Sequence, residues 1–250
     1  NLHQSQGTPL GRIDPKGRIA MAENISPFLT RTALLLGQEA LQRLQDKTVV
    51  QAGLGGVGGS CAEALCRSGL GAMHLIDGDY VEPSNLNRQL FAAKSTLGLP
   101  KTEAARRRLE DVSDCRISVH FGQITPENVD SLLPPCDYII DAIDDIPGKL
   151  ALIETARRRN VPILCCMGAG NRLDGGAFSV VDLFSTQGCR LARRMRQELR
   201  KRGITRLDVV FSPEKATRQE GQTTIGSLCP VTNAAGLTAA NFVLLQLLQS

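Results

Sequence analysis

Residues 47–89 read KTVVQAGLGGVGGSCAEALCRSGLGAMHLIDGDYVEPSNLNRQ, and this stretch decides the fold. An apolar segment runs into a glycine-rich turn, a helical pattern follows, and a second apolar segment ends at Asp77. The glycines of the turn are Gly53, Gly55, Gly56 and Gly58. A strand, a tight turn, a helix and a second strand in this order predict a βαβ unit of a parallel sheet.

Three of these glycines match the dinucleotide-binding pattern G-x-G-x-x-G in its required context. Gly53 allows the sharp turn, Gly55 lets the backbone approach phosphate oxygens, and Gly58 permits close packing of helix and strand. The N-terminus of the helix attracts an anion, and Asp77 follows at the spacing, about 20 residues on, of an acid that bonds ribose hydroxyls. The pattern predicts nucleotide binding; the alternative is a glycine-rich turn that binds nothing.

The identity of the nucleotide depends on residues outside this pattern. NAD needs little beyond the fingerprint, whereas ATP chemistry requires cations on the triphosphate and usually a magnesium ligand. Arg88 and Lys101 are candidate cations, and Asp144, at the end of the apolar run 138–143, is a candidate Mg²⁺ ligand. ATP and Mg²⁺ are therefore favoured. The alternatives are an NAD-dependent oxidoreductase and a non-catalytic nucleotide sensor. An NAD-dependent oxidoreductase leaves these three residues without a role.

Strand-like and helix-like segments alternate along most of the chain, which predicts an α/β fold with a Rossmann-like, doubly wound, mainly parallel sheet. Beyond residue 171 the pattern changes to a C-terminal strand-helix extension. The predicted strands are 48–53, 72–77, 116–121, 137–143, 161–166, 177–184 and 206–212. The predicted helices are 31–44, 57–68, 101–111, 126–133, 147–159, 189–202 and 236–248.

The same pattern predicts how the chain is organised outside the sheet. We expect residues 1–25, rich in glycine, proline and charge, to form a poorly ordered tail. Residues 26–250 are expected to form a single domain. The polar, glycine-containing segment 213–228 is expected to be a mobile loop.

Composition narrows the class of protein. Of the 250 residues, 42% are hydrophobic and 22% charged, which is ordinary for a soluble globular protein. No apolar run approaches the roughly 20 residues that span a bilayer, so we expect no membrane association. The eight cysteines form no C-x-x-C pair, so we predict no structural zinc. Without a secretion signal, reduced thiols in the cytoplasm are expected.

The predicted helix 189–202 carries a dense run of positive charge. Its basic residues are Arg190, Arg193, Arg194, Arg196, Arg200, Lys201 and Arg202, with Glu198 as the only acid. A solvated helix face is the usual explanation of such a run, but here opposite charges are nearly absent and the face would repel itself unless it meets an anion. Because aromatic residues make up only 4% of the chain, we predict contact with RNA phosphates rather than base stacking.

Five separate motifs resemble the ThiF/MoeB/ubiquitin-activating superfamily, whose members adenylate a carboxylate. The motifs are residues 53–58, Asp77, residues 84–89, Gly98-x-Pro100-Lys101 and Asp141-x-x-Asp144. Further segments resemble one branch of this superfamily. They are residues 28–37, 167–171 and 191–193 leading into 200–204. That branch is the tRNA threonylcarbamoyladenosine dehydratases, also called TcdA or CsdL proteins. The resemblance covers residues 26–248 and implies that they form a ThiF-like adenylation domain.

The resemblance implies a role for each residue that matches a motif around ATP. Asp77 binds the ribose. Asn85 and Arg88 contact the phosphates, with Gln89 nearby, and the glycines of the turn approach the same phosphates. Lys101 stabilises the negative charge of the phosphates.

Two further roles are implied by the resemblance. Asp144 holds Mg²⁺. Arg31 resembles an arginine that some relatives insert into the ATP site of the partner subunit, and these relatives form two-fold dimers. The resemblance therefore implies a homodimer in which Arg31 takes part in catalysis.

The branch implies that the substrate is tRNA carrying threonylcarbamoyladenosine. ATP adenylates the threonine carboxylate, and the carbamoyl group of the same nucleoside then expels AMP, which gives a cyclic, dehydrated nucleoside. This route needs no enzyme thiol, although some relatives use a cysteine as acyl acceptor, for which Cys189 and Cys229 are candidates. The alternative substrate is the C-terminus of a sulfur-carrier or ubiquitin-like protein. A member of the cysteine-desulfurase system is a candidate partner.

Overall fold

The structure is a computed structural model that describes residues 25–217, 220–221 and 223–249. The predicted tail therefore lies, except for Ile25, outside the described residues. The strands are β1 (Thr48–Ala52), β2 (Ala72–Asp77), β3 (Arg116–Phe121), β4 (Tyr138–Asp141), β5 (Ile163–Cys166), β6 (Ser179–Asp182) and β7 (Asp208–Phe211). They form one sheet in the order β3-β2-β1-β4-β5-β7-β6.

All neighbouring strands run parallel except β6, which pairs antiparallel with β7. The strand order reverses between β1 and β4, so the connections that leave these two strands diverge. Such a reversal leaves a crevice at the carboxyl ends of the strands, where open α/β sheets bind ligands. The prediction of a doubly wound, mainly parallel sheet with a C-terminal extension is confirmed.

The helices of the described residues cover both faces of this sheet. They are α1 (Thr30–Leu36), α2 (Gln38–Gln45), α3 (Gly56–Arg67), α4 (Lys101–Val112), α5 (Val129–Leu132), α6 (Ile146–Arg158), α7 (Arg190–Lys201) and α8 (Cys229–Gln249). Successive strand residues alternate between the two faces. Val49 and Ile140 pack with α3, α4 and α8, whereas Val50 and Ile139 pack with α5 and α6.

The opening helix differs from the prediction. We expected one helix over 31–44, but the structure has α1 and α2, separated by Gly37 with φ of 81°. This left-handed conformation ends a helix and is accessible to glycine without steric cost. The apolar pattern continues across the break because Ala33 and Leu41 both reach a small core around Leu29, and periodicity therefore hid the break.

The closing helix is longer than predicted, because α8 begins at Cys229 rather than at residue 236. Its first turns pack against α3 through small residues. A Cβ at Gly236 would stand only 3.0 Å from the backbone nitrogen of Cys61 and closer still to Ser60. The expectation that no apolar run approaches membrane-spanning length is wrong for α8, which by length and composition alone is apolar enough to cross a membrane and is the one such helix among the described residues. Here it packs against α3 in the larger core cluster.

The segment 213–228, predicted as a mobile loop, is fastened at both ends in its described part. Asn171, whose φ is 56°, accepts from the backbone N–H of Thr217 (2.7 Å) and exchanges two hydrogen bonds of 2.7 Å with Gly226. Near its start, the carboxylate of Glu214 accepts from the backbone of Leu173 and Asp174. Asn87 Nδ2 also donates to Ser227 O (3.0 Å), which joins this segment to the polar run 84–89.

Candidate active site

The glycine turn joins β1 to α3 at the crevice. Gly53 has φ of 87°, and a Cβ there would lie 2.6 Å from the carbonyl oxygen of Ala142. A Cβ at Gly58 would lie 2.9 Å from the carbonyl carbon of Gly53 and closer still to its oxygen. Both glycines are therefore required by the turn itself. This agrees with the roles predicted for the first and third glycines of the pattern.

Gly55 differs from these two because the nearest atom to a Cβ there is Gln89 Nε2, at 3.9 Å. The protein leaves room for a side chain, yet the position faces a cavity of about 740 Å³, a volume suited to a small-molecule ligand. The predicted residues that line this cavity are Gly53, Gly55, Gly56, Asp77, Asn85, Arg88, Gln89, Lys101 and Asp144. Residues from all five motifs, far apart in sequence, are thus brought to one cavity.

Asp77 ends β2 and is buried beneath the glycine turn. One carboxylate oxygen accepts from the backbone N–H of Leu54 (2.7 Å) and the other from that of Asp79 (2.8 Å). Burial raises the pKa of Asp77, although the charge of Lys101 and the two amide donors oppose this rise. Asp77 therefore shapes the turn in addition to the ribose contact predicted from its position, and sequence spacing alone did not indicate this second use.

The polar run 84–89 begins within a short 3₁₀ helix, Pro83–Asn85. Asn85 is buried, and its Oδ1 accepts from the backbone N–H of Glu82 (3.0 Å), which leaves the amide nitrogen near the cavity. Arg88 Nη1 donates to Ser84 O (3.0 Å) and Asn87 Oδ1 (2.9 Å). Within the described part of the chain the guanidinium makes no further hydrogen bond. Its remaining N–H donors are therefore available to an anion.

Lys101 opens α4, where its charge opposes the helix dipole. Its ammonium lies 2.7 Å from Asp79 Oδ2, and its backbone N–H donates to Asp79 O (2.9 Å). Asp79 is therefore the ion-pair partner of Lys101. Only 9% of the Lys101 side chain is exposed, against 59% for Asp79. Lys101 therefore faces the cavity with its position already set by an ion pair.

Asp144 follows β4 by three residues and lies on an exposed stretch of the cavity wall. Its carboxylate makes no hydrogen bond or ion pair within the described residues. The neighbouring Asp145 caps α6, because its carboxylate accepts from the backbone N–H of Gly148 (2.8 Å). Of these two acids, Asp144 is the one left available to a ligand.

The donor set around Asp144 fits Mg²⁺ and disfavours a metal site built from protein alone. Across the described ranges no group of three or more His, Cys, Asp or Glu residues can hold a metal ion. Mg²⁺ commonly takes one or two carboxylates and completes its octahedron with phosphate oxygens and water. A single uncommitted carboxylate on the wall of a nucleotide-sized cavity matches that requirement.

Sequence reasoning missed a buried ion pair behind the cavity. Lys149 Nζ and Asp141 Oδ2 are 3.0 Å apart, and both side chains are completely buried. Although burial opposes it, the carboxylate of Asp141 raises the pKa of Lys149, so the ammonium stays charged. The available signal was a lysine within the apolar pattern of helix α6, eight residues after an acid that ends a strand.

A second missed residue, Asn233 on α8, joins two predicted segments. With its amide oriented so that both side-chain atoms are paired, Asn233 donates to Gly56 O (2.8 Å) and to Arg88 O (3.2 Å). Thr232 lies beside it, because a Cβ at Gly56 would meet Thr232 Oγ1 at 2.7 Å. The start of α8, which lies before the predicted helix 236–248, therefore holds the glycine turn against the polar run.

Arg31 does not join this cavity within one chain. It is exposed on α1, where Leu34 and Leu35 are also exposed. Neither Cys189 nor Cys229 lines the cavity. Cys189 caps α7 by accepting from the backbone N–H of Ala192 (3.5 Å), and Cys229 opens α8.

The basic helix α7 carries more opposite charge than predicted. Glu198 pairs with Lys201 (2.9 Å) and Arg202 (3.0 Å), and Arg202 also reaches Glu154 of α6 (3.1 Å). On the helix itself Glu198 remains the only acid, but a neighbouring helix supplies a second one, Glu154, that helical periodicity cannot show. Further contacts are Arg194 with Glu198, Arg196 with Thr186 and Arg200 over the ring of Phe184.

Arg190 and Arg193 are the members of this run that remain exposed without a side-chain partner in the described ranges. They stand in the first turn of α7, where a cation opposes the helix dipole. Arginine triplets also occur at 106–108 and 157–159, and five of these six arginines form ion pairs: Arg106 and Arg107 with Glu103, Arg108 with Glu63, and Arg158 and Arg159 with Asp130. The anion-binding potential predicted for α7 is thus concentrated at its N-terminal end.

Comparison with known proteins was made for both sequence and structure. A model of the ThiF family matches residues 29–249. The tRNA threonylcarbamoyladenosine dehydratase of Escherichia coli (strain K12) is 37% identical over 204 residues, which cover 78% of this chain and 76% of that protein. The enzyme of the same name from Bacillus subtilis (strain 168) is 38% identical over 188 residues, 74% of each chain.

Solved structures give the same relationship. The crystal structure of E. coli tRNA N6-threonylcarbamoyladenosine dehydratase, TcdA, in complex with AMP matches with a TM-score of 0.83 at 35% identity. The match covers 88% of this chain and 93% of that chain. The complex of the same enzyme with ATP gives a TM-score of 0.82 at equal identity and coverage.

Proposed function

Because this chain belongs to the ThiF family, we propose that it is an ATP-dependent tRNA threonylcarbamoyladenosine dehydratase. The resemblance inferred from the five motifs is thereby confirmed for the family. The observation that carries the proposal is the single cavity at the β1–β4 crevice, which collects the glycine turn, Asp77, Arg88, Lys101 and Asp144. Residues 26–250 act in this proposal as one adenylation domain.

ATP binds along the cavity with its phosphates over the N-terminus of α3. Gly55 leaves space for the phosphate oxygens, and the free N–H groups of the helix meet them. Asp77 holds the ribose at the end of β2. Arg88, with Asn85 and Gln89 beside it, directs its unused donors to the phosphates, and Lys101 adds a buried cation. The common position of these residues around one cavity supports these roles.

The reaction takes place in two steps on one nucleoside. A threonine carboxylate oxygen attacks the α-phosphorus of ATP and pyrophosphate leaves, which gives an acyl-adenylate. The carbamoyl group then attacks the acyl carbon, and AMP leaves with the oxygen that the carboxylate loses. The internal nucleophile has a high effective molarity, so no enzyme thiol is required. The chain contributes alignment and stabilisation of the developing phosphate charge by Arg88 and Lys101.

A metal ion held by Asp144 supplies charge neutralisation on the β- and γ-phosphates when it is bound. Asp144 lines the cavity and its carboxylate has no hydrogen-bond or ion-pair partner among the described residues, whereas Asp145 caps α6. We assign Mg²⁺ to Asp144 on these grounds. A cytoplasmic location and a partner from the cysteine-desulfurase system remain parts of the proposal.

The alternatives explain less of the site. An NAD-dependent oxidoreductase leaves Arg88, Lys101 and Asp144 without a role, and the related E. coli structures hold ATP and AMP. Adenylation of a carrier-protein C-terminus uses the same cavity but gives no reason for exposed, unpaired arginines at the start of α7. A non-catalytic sensor has no need for a cavity lined by both cations and an uncommitted carboxylate.

The deciding experiment incubates the protein with ATP, Mg²⁺ and tRNA that carries threonylcarbamoyladenosine. We expect mass spectrometry of the nucleosides to show conversion to the dehydrated, cyclic form, with one AMP and one pyrophosphate formed for each conversion. Omission of ATP is the control. Release of pyrophosphate with a sulfur-carrier protein but not with this tRNA, or tighter binding of NAD than of ATP with Mg²⁺ in calorimetry, contradicts the proposal.

We predict that the N-terminal end of α7 contacts the tRNA backbone. Replacing Arg190 and Arg193 by glutamate should weaken tRNA binding and reduce the slope of log K against log salt by about 1 for each arginine. Filter binding between low and moderate salt measures this slope. The matched control is Arg116→Glu, an exposed arginine on β3 at the opposite end of the sheet. An unchanged slope in the double variant contradicts the assignment.

We predict that Arg31 acts in the active site of a partner subunit within a homodimer. Arg31→Ala and Arg88→Ala should each be inactive alone, but mixed dimers contain one site with both arginines. After random exchange of subunits, about a quarter of the wild-type activity should return. If the mixture stays inactive although native mass spectrometry shows mixed dimers, Arg31 does not act across the interface.

A further inference from the structure

We propose that Lys149 is a positioning residue that holds the Asp144 loop against the glycine turn, and so sets the affinity of the site for its metal ion. This inference rests on the proposed function, in which Asp144 is the metal ligand. Lys149 lies behind the cavity wall, is completely buried and does not line the cavity itself.

The ammonium of Lys149 donates hydrogen bonds to three different segments. It bonds the carboxylate of Asp141 (3.0 Å), the carbonyl oxygen of Ile143 (2.8 Å) and the carbonyl oxygen of Cys166 (3.0 Å). These acceptors lie at the end of β4, in the residue before Asp144, and at the end of β5. One buried cation therefore joins two strand ends to the loop that carries the proposed metal ligand.

The same loop also supports the glycine turn. The backbone N–H of Ala142 donates to Ala52 O (2.8 Å), and a Cβ at Gly53 would lie 2.6 Å from Ala142 O. The backbone between Asp141 and Asp144 is thus in contact with the turn that receives the phosphates. The distance from the Asp144 carboxylate to those phosphates depends on where Lys149 holds the carbonyl of Ile143.

Stability alone does not explain a buried lysine in this place. A buried ion pair is weak support for stability, because well-packed apolar residues of similar volume are often as good or better. Two of the three partners of Lys149 are backbone carbonyls, at Ile143 and Cys166, that an apolar side chain cannot hold. Asp144 has no partner of its own in the described residues, so its position depends on the backbone that Lys149 fixes.

The test separates positioning from folding by replacing both members of the pair. Lys149→Met alone leaves a buried, unpaired carboxylate, whereas the double variant Lys149→Met/Asp141→Leu removes both charges, fills their volume with apolar side chains and frees the carbonyls of Ile143 and Cys166 from Lys149. Binding of Mn²⁺ is followed by electron paramagnetic resonance with a non-hydrolysable ATP analogue present, and ATP binding without metal by calorimetry in EDTA. We expect the folded double variant to bind Mn²⁺ about 10- to 100-fold more weakly, as for lost outer-shell contacts. Metal-free ATP binding should stay within about twofold.

Two further variants show whether the positioning role of Lys149 or the metal assignment of Asp144 is wrong if Mn²⁺ binding does not change as expected. Arg158→Met removes an ion pair at the other end of the same helix and should leave Mn²⁺ binding unchanged. If Asp144→Asn weakens Mn²⁺ binding but the folded double variant does not, the positioning role of Lys149 is overturned while the metal assignment stands. If Asp144→Asn also leaves Mn²⁺ binding unchanged, the metal assignment fails and this inference fails with it.

Discussion

Replacing Arg88 by alanine is expected to lower the rate of acyl-adenylate formation by about 100- to 1000-fold, the usual cost of removing one preorganised donor to developing charge. Arg88 donates through Nη1 to Ser84 O and Asn87 Oδ1, which fixes the guanidinium at the cavity and leaves its other donors for phosphate. A fixed guanidinium stabilises the transition state without reorganising. The rate is measured by pyrophosphate release with modified tRNA under single-turnover conditions.

The fold should survive this change. Arg88 is half-buried and bonds only nearby segments, so the loss of stability should be about 1 kcal/mol or less. Arg88→Lys keeps the charge but not the planar fork, and we expect it to restore only part of the rate. Arg116→Ala, which removes an exposed arginine on β3, serves as the control. Full activity in Arg88→Ala would show that Arg88 has no role in the formation of the acyl-adenylate.

The second large effect is expected from Gly58→Ala. The added methyl group would press on the backbone of Gly53, 2.9 Å from its carbonyl carbon and closer to its oxygen. Backbone cannot rotate away, so α3 must move from the turn. We expect a loss of about 3 kcal/mol, at the upper end for overpacking, or about 6–12 °C in Tm for a domain of this size. A shift of the helix by about 1 Å should also lower activity roughly 100-fold.

Gly55→Ala is the matched comparison, since the same methyl group there meets only Gln89 Nε2 at 3.9 Å. Its stability should change by less than about 0.5 kcal/mol, while ATP binds at least about tenfold more weakly because the methyl group takes the space of phosphate oxygens. Thermal unfolding and calorimetry measure the two quantities. Equal loss of stability in both variants would show that the two glycines do not differ in this way.

Local patterns predicted most of the fold. β2 and β3 begin and end where expected, and no limit of the other strands differs from its prediction by more than two residues. Alternation of strands and helices depends on short-range periodicity, which a single sequence displays directly. The exceptions lie where tertiary contacts override the pattern. Gly37 breaks the opening helix while both halves keep one apolar face, and the start of α8 is helical because it packs on α3.

The residues of the candidate site were predictable for a similar reason. One βαβ unit and the run that follows it contain the glycine turn, Asp77, Asn85, Arg88 and Gln89. Their order along the chain therefore already predicts that they share one site. Lys101 and Asp144 come from later segments. They join the site because parallel strands deliver their carboxyl ends to one edge of the sheet.

What the sequence by itself determined is the class of sheet, the nucleotide site and the family to which the chain belongs. Only the tertiary structure decided how the site is held together. Asp77 bonds the turn at Leu54, Lys101 pairs with Asp79, and Lys149 joins Asp141 to the loop before Asp144. Each of these contacts joins residues that lie 8 to 23 positions apart. Such pairs have no fixed periodicity along the chain, because it is the packing of strands and helices that brings them within hydrogen-bond distance.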